Sequence, residues 1–594
     1  MSATLPAEHR IRRIAGVLAV LAALLGAWTG SASAATTIAS ATTLTNPPGT
    51  PTLVGSPHAV PAGGYRLTGA KVLVVARRDP RVKAELRTHP RALPYEYTKG
   101  YPTWQVSWFT PGAHERELMQ VYLDDATGQV TQVWTGFQVA WSMARGYPGA
   151  FGRRVNAWYL WLALCVLFIA PFVPWRRRPT LLHLDLVMLL GFSVSLAFFN
   201  HSAIGLSVPL VYPFLVYLLA RMLLLAFGRG VPRAPLRTVV PASWLAVATV
   251  FLMAFRIGLN ILNSNVIDVG YAGVIGADKI IHGHALYGHW PSDNLYGDTY
   301  GPVSYYLYIP FRWFFGWSGT WDSLPAAHGA AIFFDLAVVA GLVVLGRRLR
   351  GNSLAALLAY AWAAYPFTLY AMNSNTNDAL VPALLVGALL VITSAPGRGV
   401  VAALAGLTKF APFALAPLLL RATGERPRPR SIVAYGLAFG ATVVAMMLYV
   451  VLKGNLHTFW HDSIAYQSSR VTPFSVWGLW GGLGPEQHLL QGMAAGLAIV
   501  VAFYPARRGV VEVAALAAAV LIALQLTVNY WLYPYIVWFF PLVMVALFAS
   551  HPDRRRRVPS AWPSAAVRAP GPPAPAPPAS AAEQPIPIRI TPSP

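Results

Sequence analysis

The stretch that decides the fold is residues 326–350, which read AAHGAAIFFDLAVVAGLVVLGRRLR. Asp335 is the only Asp, Glu, Lys or Arg between positions 326 and 346. About twenty apolar residues in a helix are enough to cross the hydrocarbon core of a bilayer. Arginines follow directly at 347, 348 and 350. Because basic residues accumulate in cytoplasmic loops, this pattern predicts a transmembrane helix whose carboxyl end faces the cytoplasm.

Ten other apolar runs predict a polytopic α-helical membrane domain over residues 156–550. The chain is 56% hydrophobic and only 11% charged, whereas about a quarter of the residues in an ordinary soluble domain are charged. The eleven predicted spans are 157–174, 181–199, 208–227, 239–260, 326–346, 354–371, 379–394, 431–452, 486–505, 510–528 and 535–549. Residues 400–420 differ, because arginine-bearing loops flank both ends and Lys409 and Pro412 interrupt the run. They predict a re-entrant helical hairpin, whose turn must be buried in protein.

The net charge of +23 suggests a nucleic-acid partner at first, but the position of the charges argues against one. Basic residues cluster in alternate loops: Arg176–Arg178, Arg229–Arg237, Arg347–Arg350, Arg398, Arg421–Arg430, Arg507, Arg508 and Arg554–Arg557. The other loops hold only Lys279, Arg312, Lys453 and Arg470. This asymmetry predicts a multi-pass protein of the cell membrane, with the second set of loops and the N-terminal domain outside and the C-terminal tail in the cytoplasm.

The N-terminal sequence predicts export and a small domain, and the C-terminal sequence predicts a tail. Residues 1–34 combine basic residues, an apolar run and a final Ala-Ser-Ala, which is typical of a signal peptide or signal anchor. We expect a linker over 35–60, an α+β domain over 61–150 and a disordered Pro/Ala-rich tail over 559–594. Within the domain, the patterns predict one helix at 79–89 and strands at 104–109, 119–123 and 130–134, joined by the turn DDATG. This strand, turn and strand pattern resembles a PepSY module.

Candidate functional residues concentrate in the predicted outer loops, and most are carboxylates. The loop 261–325 is the longest between spans and is rich in aromatic residues. It contains Asp268, Asp278, Asp293, Asp298 and Asp322; the next outer turn, NSNTND, ends in Asn377 and Asp378, and a later outer loop contains Asp462. Asp268 follows the fourth span by about eight residues, where it could meet a lipid headgroup. The alternative is a solvated loop acid or a helix cap.

Charged residues within apolar runs form a second set of candidates, since a charge in hydrocarbon is costly and usually lines a cavity or finds a partner. They are Asp185, Arg256, Asp335 and Lys409. Arg256 could bind a phosphate or extend its side chain to the interface. Arg470 is one of the few basic residues in the outer loops, and it is a candidate phosphate ligand.

Several motifs are absent from the sequence. It has no Gly-rich P-loop, HExxH motif, cysteine cluster or GxSxG motif, which argues against ATP-driven transport, metalloprotease and serine-hydrolase chemistry. Cys165 is the single cysteine, so no intrachain disulfide can form. The spacing of His282, His284 and His289 does not define a tetrahedral metal site. We therefore predict neither a cofactor nor a metal.

Five stretches resemble the GT-C class of membrane glycosyltransferases, in particular the polyprenyl-phosphate-sugar-dependent group known as glycosyltransferase family 87. They are VIDVGYAGVIGADKIIHGHALYG (266–288), GDTYGPVSYYLYIPF (297–311), NSNTNDALVPALL (373–385), LAGLTKFAPFALAPLLL (404–420) and SSRVTPFSVWGLWG (468–481). The resemblance covers about residues 240–550. The sequence departs from that group by placing three extra spans and an exported domain before the fourth span.

The resemblance implies an inverting transferase that moves a hexosyl or pentosyl unit, such as mannose or arabinose, from a polyprenyl-phosphate donor to an outer glycan or glycolipid acceptor. It implies Asp268 as the catalytic base, with Asp278 and Asp298 as the alternatives. Arg470, Lys409 or Arg256 would stabilise the leaving phosphate. Tyr271, Tyr287, Trp290, Tyr296 and Tyr300 would stack on sugar, or would belong to the aromatic belt of the membrane interface.

Two interpretations from other classes stay open at this point. The chain could be a transporter or flippase for a lipid-linked glycan, for which inverted repeats would be expected. Alternatively, the exported domain, residues 36–150, could be the active part and the spans its anchor.

Overall fold

The computed structural model of the protein describes residues 51–112, 115–140, 145, 151–173, 179–422, 428–470, 472–506 and 508–552. The predicted signal segment, most of the predicted linker and the C-terminal tail lie outside the described residues.

The N-terminal domain is a five-stranded antiparallel sheet with helices on one face. The strands run in sequential order: β1 Thr52–Leu53, β2 Leu93–Thr98, β3 Thr103–Phe109, β4 Glu117–Asp124 and β5 Val130–Thr135. Helices α1 (Gly69–Arg77) and α2 (Pro80–Thr88) contribute Val72 and Val82 to a core with Trp104, Val106 and Met119. The predicted helix and the strands β3, β4 and β5 are confirmed. Strands β1 and β2 and helix α1 were not predicted. Strand β1 is only two residues long and pairs with Tyr97 and Thr98 of β2, so it has no periodicity of its own.

The turn DDATG joins β4 to β5 as predicted, and its two aspartates have different partners. Asp124 Oδ1 accepts from the backbone N–H of Thr127 at 2.8 Å. Asp125 is buried and accepts from Trp104 Nε1 at 2.8 Å and from the backbone N–H of Leu67 at 3.0 Å. The turn therefore ties the sheet to the segment that precedes α1.

The rest of the described chain is helical. The longer helices are α3 Trp158–Ile169, α4 Leu181–Asn200, α5 Ile204–Ala226, α6 Ala242–Leu262, α7 Asp268–Ile281, α8 Pro325–Arg350, α9 Asn352–Ala364, α10 Pro366–Asn373, α11 Leu380–Leu390, α12 Ala395–Gly406, α13 Pro429–Leu452, α14 Gly484–Phe503, α15 Val510–Gln525 and α16 Ile536–Ala549. Shorter helical pieces are Phe137–Ala140, Arg153–Asn156, Ala170–Phe172, Pro302–Tyr306, Ile309–Phe315, Ala411–Leu415, Ala416–Arg421, Leu456–Phe459, Trp460–Ala465, Tyr466–Ser469, Val476–Leu479 and Tyr533–Tyr535.

Each predicted span coincides with an apolar helix, but the helices differ in length. Among the described residues, six are long and apolar enough to cross a membrane: α4, α5, α6, α8, α13 and α14. Helices α9 and α10 pass the same test together but bend by 58° at Tyr365, where Pro366 begins the second helix. The remaining apolar helices are shorter than 18 residues. The chain is thus a helical membrane protein, and the count of eleven spans stays a prediction.

Arginine side chains gather the carboxyl ends of several helices at one end of the bundle. Arg348 of α8 donates to the carbonyl of Leu390 in α11 at 2.9 Å, and Arg421 donates to Phe503 in α14 at 2.7 Å. Arg350 donates to the carbonyl of Ala549 in α16. The last carbonyls of a helix have no partner within it and carry partial negative charge, so these cations satisfy and stabilise them. The loops predicted to be cytoplasmic therefore meet at one end.

Residues 395–421 form a helical hairpin with a broken middle, where the sequence predicts one over 400–420; its re-entrant course in a membrane stays a prediction. Arg398 near the start of α12 donates from Nε to the carbonyl of Leu419 at 2.7 Å, so the two ends of the hairpin lie side by side. Lys409 lies in the break between α12 and Ala411–Leu415. The backbone N–H of Val303 donates to Leu407 O at 3.2 Å, and Ser304 Oγ donates to Thr408 O at 2.8 Å. The carbonyl groups of this irregular backbone therefore find hydrogen-bond donors within the protein.

The charged residues inside the bundle form ion pairs. Arg256 of α6 is fully buried, and its Nη2 lies 2.5 Å from Oδ1 of Asp335 in α8. Trp362 Nε1 donates to the same carboxylate oxygen at 2.8 Å. Asp185 pairs with Arg221 in the same way, at 2.9 Å. Each costly charge thus has a partner, and Arg256 neither extends to the membrane interface nor presents a solvent-accessible surface.

Candidate functional site

Asp268 begins α7, and both flanks of its backbone are anchored. Ile267 donates its N–H to Ser374 O at 3.2 Å, and Asn294 Nδ2 donates to the carbonyl of Asp268 at 3.0 Å. The carboxylate accepts a hydrogen bond from the N–H of Val269, as expected for an acidic residue in the first turn of a helix. The start of α7 is therefore held between the 373–378 turn and the long outer loop.

Gly270 allows the first turn of α7 to lie directly on the 373–378 turn. A Cβ atom at Gly270 would lie 2.1 Å from the carbonyl oxygen of Asn375. Asn375 has a positive φ of 50°, and its amide is held by Asn260 Nδ2 at 2.9 Å and by the carbonyl of Asn265 at 2.9 Å. Because this turn ends in Asp378, the close approach at Gly270 brings Asp378 toward Asp268.

We expect Gly270→Ala to displace α7 from the 373–378 turn and to lower both the thermal stability and any activity that depends on Asp268. The new methyl group would meet backbone rather than a flexible side chain, so the clash can be removed only by moving the backbone. Gly258→Ala in α6 is the matched control, since a Cβ atom there meets nothing within 4 Å. Thermal unfolding of the two purified variants compares them, and equal melting temperatures would contradict the expectation.

Asp378 and Lys409 form a buried ion pair beside Asp268. Lys409 Nζ lies 2.6 Å from Asp378 Oδ1, and Trp538 Nε1 donates to the same oxygen at 2.8 Å. The ammonium also lies over the rings of Tyr300 at 5.1 Å and Tyr535 at 5.6 Å from the centroids. Lys409 comes from the break in the hairpin and Trp538 from α16, so three distant parts of the chain meet at this carboxylate.

Arg470 supplies a second cation from the segment 456–470. Its guanidinium carbon lies 4.0 Å from the ring centroid of Tyr530 and 5.6 Å from that of Tyr466. The segment contains one turn of π-helix, Trp460–Ala465, a local geometry that is frequent at functional sites. We name these residues the Asp268 cluster: Asp268, Tyr300, Asp378, Lys409, Arg470, Tyr530, Tyr535 and Trp538.

The environment raises the pKa of Asp268 above its ordinary value. Burial is the largest cause, and the negative charge of Asp378 adds to it. The Val269 N–H and the charges of Arg470 and Lys409 act in the opposite direction. The Asp268 residue nevertheless keeps partial solvent access, as do Tyr300, Arg470 and Tyr530. A carboxyl group with a raised pKa near two cations can accept a proton from a bound molecule.

Five of the predicted site residues meet in this cluster: Asp268, Tyr300, Asp378, Lys409 and Arg470. Asn377 lies next to Asp378 and is buried, and neither atom of its amide has a hydrogen-bond partner among the described residues. Arg256 pairs with Asp335 instead, and its Nη1 donates to Thr368 Oγ1 at 3.0 Å.

The other predicted residues have protein partners elsewhere in the outer loop. Asp278 pairs with Arg312 at 2.7 Å. Tyr271 packs its ring on Trp321 at 4.9 Å. Tyr287 donates from its hydroxyl to Tyr300 O at 3.0 Å, which fixes the backbone next to the cluster.

Asp298 lies close to Asp462, two carboxyl groups that the sequence does not connect. Asp298 accepts from the N–H of Gly288 at 2.8 Å, and its backbone carbonyl accepts from Ser463 Oγ, next to Asp462, at 2.9 Å. Burial first, and then the neighbouring Asp462, raise the pKa of Asp298 to about 6. Asp298 is therefore mostly protonated below a pH of about 6 and mostly ionised above it.

Sequence reasoning missed Tyr530, Tyr535 and Trp538. They lie in NYWLYPYIVWFF, residues 529–540, where an apolar run begins, and aromatic residues at the end of a span are ordinarily assigned to the interfacial belt. The Pro534 within this stretch, which starts a short 3₁₀ turn at Tyr533–Tyr535, is the available signal that the backbone there is not a simple span end. Among the described residues, no group of three or more His, Cys, Asp or Glu side chains could hold a metal ion.

Comparison with known proteins adds no relative: no protein-family model matches the chain, and no curated protein matches it significantly.

Proposed function

We propose that this chain is an inverting glycosyltransferase that takes a hexosyl or pentosyl unit from a polyprenyl-phosphate donor and transfers it to a glycan or glycolipid outside the cytoplasmic membrane. The observation that carries the proposal is the Asp268 cluster itself. A carboxyl group with a raised pKa lies near Arg470 and Lys409, in the loops at the end of a membrane bundle. Such a site can combine proton removal from an acceptor with binding of an anionic leaving group.

In this mechanism Asp268 accepts the proton of an acceptor hydroxyl as that oxygen attacks the anomeric carbon. The bond between the anomeric carbon and the phosphate oxygen breaks on the opposite face, and polyprenyl phosphate leaves with the electron pair. One displacement inverts the anomeric centre. Arg470 is the candidate for the leaving phosphate because of the chemistry of its side chain. Its planar guanidinium can bind two phosphate oxygens at once.

The proposed orientation places the arginine-rich end of the bundle in the cytoplasm and the Asp268 cluster outside. The contacts of Arg348, Arg350 and Arg421 with helix carboxyl ends support it, since they collect the basic loops at one end. We place the N-terminal domain at the other end; in support, Ser202 Oγ donates to the carbonyl of Arg145 at 2.6 Å, and the Arg145 guanidinium lies 5.4 Å from the ring centroid of Trp134. With eleven spans and one hairpin, every basic loop would lie in the cytoplasm and every basic-poor loop outside.

The direct test is an assay of membranes that contain the protein, with a panel of polyprenyl-phosphate sugars labelled in the sugar. We expect label to move from the lipid to an acceptor glycan or glycolipid with inversion at the anomeric carbon. Membranes without the protein are the control. A flippase would instead move the intact labelled lipid across the bilayer, and that outcome, without transfer, would reject the proposal.

A further inference from the structure

Two basic side chains near the carboxyl ends of α5 and α16 are buried, and each has one nitrogen atom without a partner. Arg221 of α5 is 4% exposed, and its Nη1 atom has no hydrogen-bond partner among the described residues. His551, two residues beyond α16, is 8% exposed, and its Nε2 atom likewise lacks a partner in the described part of the chain. Buried polar atoms are nearly always hydrogen-bonded, so these two point to a bound polar group.

One loop, residues 228–236 between α5 and α6, contacts both side chains. A Cβ atom at Gly230 would lie 3.1 Å from Arg221 Nη1, so the loop backbone passes close to the guanidinium. Four residues later, the carbonyl of Ala234 accepts from His551 Nδ1 at 2.9 Å. The two unpartnered nitrogens therefore lie beside the same short loop.

The other contacts of Arg221 hold it in place and leave Nη1 for a further acceptor. Its Nε atom lies 2.9 and 3.0 Å from the two carboxylate oxygens of Asp185. Tyr217 donates to the same carboxylate at 2.7 Å. A guanidinium has five N–H donors and no acceptor, so the partner that fits Nη1 is an acceptor, and an anion is the strongest kind.

The charges near this loop favour an anion. Arg229, Arg233 and Arg237 belong to the loop or follow it directly, and all three are exposed. Beyond His551 the sequence continues with four arginines at 554–557. Clusters of basic residues next to the end of a membrane span attract anionic lipid headgroups.

His551 can bind an anion through Nε2 only when its ring is protonated. A carbonyl oxygen only accepts, so the bond to Ala234 places the hydrogen of the neutral ring on Nδ1 and leaves Nε2 bare. Burial is the largest cause that lowers the pKa of His551; the charges of Arg350 and Arg221 lower it further, and the bond to Ala234 acts in the opposite direction. A bound anion would offset the two positive charges, so anion binding and protonation of His551 favour each other.

We propose that Arg221, His551 and the 228–236 loop form a binding site for a phosphate group, of the kind that an anionic phospholipid headgroup or free phosphate presents. Arg221 Nη1 and protonated His551 Nε2 each donate to a phosphate oxygen, while the exposed arginines of the loop raise the local concentration of anions. The site lies outside the Asp268 cluster and does not depend on the proposed sugar transfer.

Thermal unfolding of the purified full-length protein in a neutral detergent tests the site. At pH 6 we expect phosphatidylglycerol to raise the melting temperature in a saturable way, and the concentration dependence gives an apparent affinity. Phosphatidylcholine, whose choline cancels the phosphate charge, should have little effect. Inorganic phosphate is the third addition: a rise with it shows that free phosphate suffices, whereas a rise with phosphatidylglycerol alone shows that the lipid is required.

A pair of glycine variants locates the binding. Gly228 and Gly230 both have positive φ, 72° and 66°, so alanine is strained at either position. Only at Gly230 would the methyl group lie against Arg221 Nη1, because a Cβ atom at Gly228 meets nothing within 4 Å. We expect Gly230→Ala to weaken phosphatidylglycerol binding by about tenfold or more, the usual effect of losing a hydrogen bond to a charged group, and Gly228→Ala to bind as the wild type does.

The substitution His551→Asn tests the proton. Its amide nitrogen can replace Nδ1 as the donor to Ala234, but nothing replaces Nε2. The phosphodiester of phosphatidylglycerol keeps its charge between pH 6 and pH 8. The wild type should therefore bind this lipid more tightly at pH 6 than at pH 8, and His551→Asn should bind it equally weakly at both.

Three results would overturn the inference. If phosphatidylglycerol stabilises Gly230→Ala and Gly228→Ala equally, the lipid binds elsewhere on the basic surface. If neither phosphatidylglycerol nor inorganic phosphate shifts the melting temperature of the wild type, water is the partner of the two nitrogens. If the pH dependence of binding survives in His551→Asn, another group takes up the proton.

Discussion

Asp268→Asn is expected to lower sugar transfer by about 100- to 10,000-fold, the usual contribution of a general base, while the protein stays folded in the membrane. The amide has the shape of the carboxyl group but cannot accept the acceptor's proton. Backbone contacts with Ser374 and Asn294 also hold the start of α7, so the helix should form normally. Because burial already disfavours the charge of Asp268, its removal should not lower the melting temperature.

The control for this substitution is Asp293→Asn, in the same loop and with the same change of charge. Asp293 is exposed, and its Oδ2 atom accepts a hydrogen bond from the Tyr271 hydroxyl at 3.3 Å. We expect this variant to retain nearly full transfer activity. Full activity in Asp268→Asn, together with loss in Asp278→Asn or Asp298→Asn, would move the catalytic base to another carboxylate of the loop.

Arg256→Ala is expected to give the largest loss of stability of any single change considered, about 3–5 kcal/mol in the free energy of unfolding. Asp335 would remain as a fully buried carboxylate whose cation has been removed, with Trp362 as its remaining strong donor. The double variant Arg256→Met with Asp335→Leu removes both charges and should recover most of the loss. Unfolding of the purified proteins in mixed detergent micelles measures the difference.

Arg312→Ala serves as the comparison for a less buried pair. Arg312 and Asp278 lie 2.7 Å apart, but both side chains keep 18–19% of their surface exposed. Water screens such a pair, so the expected loss is about 1 kcal/mol or less. Equal losses in Arg256→Ala and Arg312→Ala would show that the intramembrane pair contributes no more than the outer one.

The outer carboxylates show how much of the site could be predicted from the sequence. Asp268, Asp378 and Arg470 were selected because they lie in the predicted outer loops, which contain few basic residues. All three lie in the same cluster. Asp278 and Asp298 met the same criterion and have other partners, Arg312 and the backbone N–H of Gly288. Loop membership places a residue at one end of the bundle, but it does not determine which neighbour lies within 3 Å.

Arg256 illustrates the same limit inside the bundle. The sequence identifies it as an intramembrane charge that needs a partner, and the partner, Asp335, is 79 residues away. Hydropathy cannot pair two helices, because it depends on composition along one segment and not on which faces meet. Tyr530, Tyr535 and Trp538 were missed for a related reason, since an aromatic residue at a span end has the same pattern whether it faces lipid or a buried cation.

The sequence by itself indicated that this protein is built from apolar helices, that its basic loops alternate, and that residues 400–420 form a broken hairpin. These features are local: they depend on the length of an apolar run, on flanking arginines and on Pro412 and Lys409. The tertiary structure alone decided that the start of α7, the 373–378 turn, the hairpin break and the 456–470 segment meet around Asp268. That meeting depends on close backbone contacts, such as Gly270 against Asn375 and Val303 against Leu407, between residues about 100 positions apart.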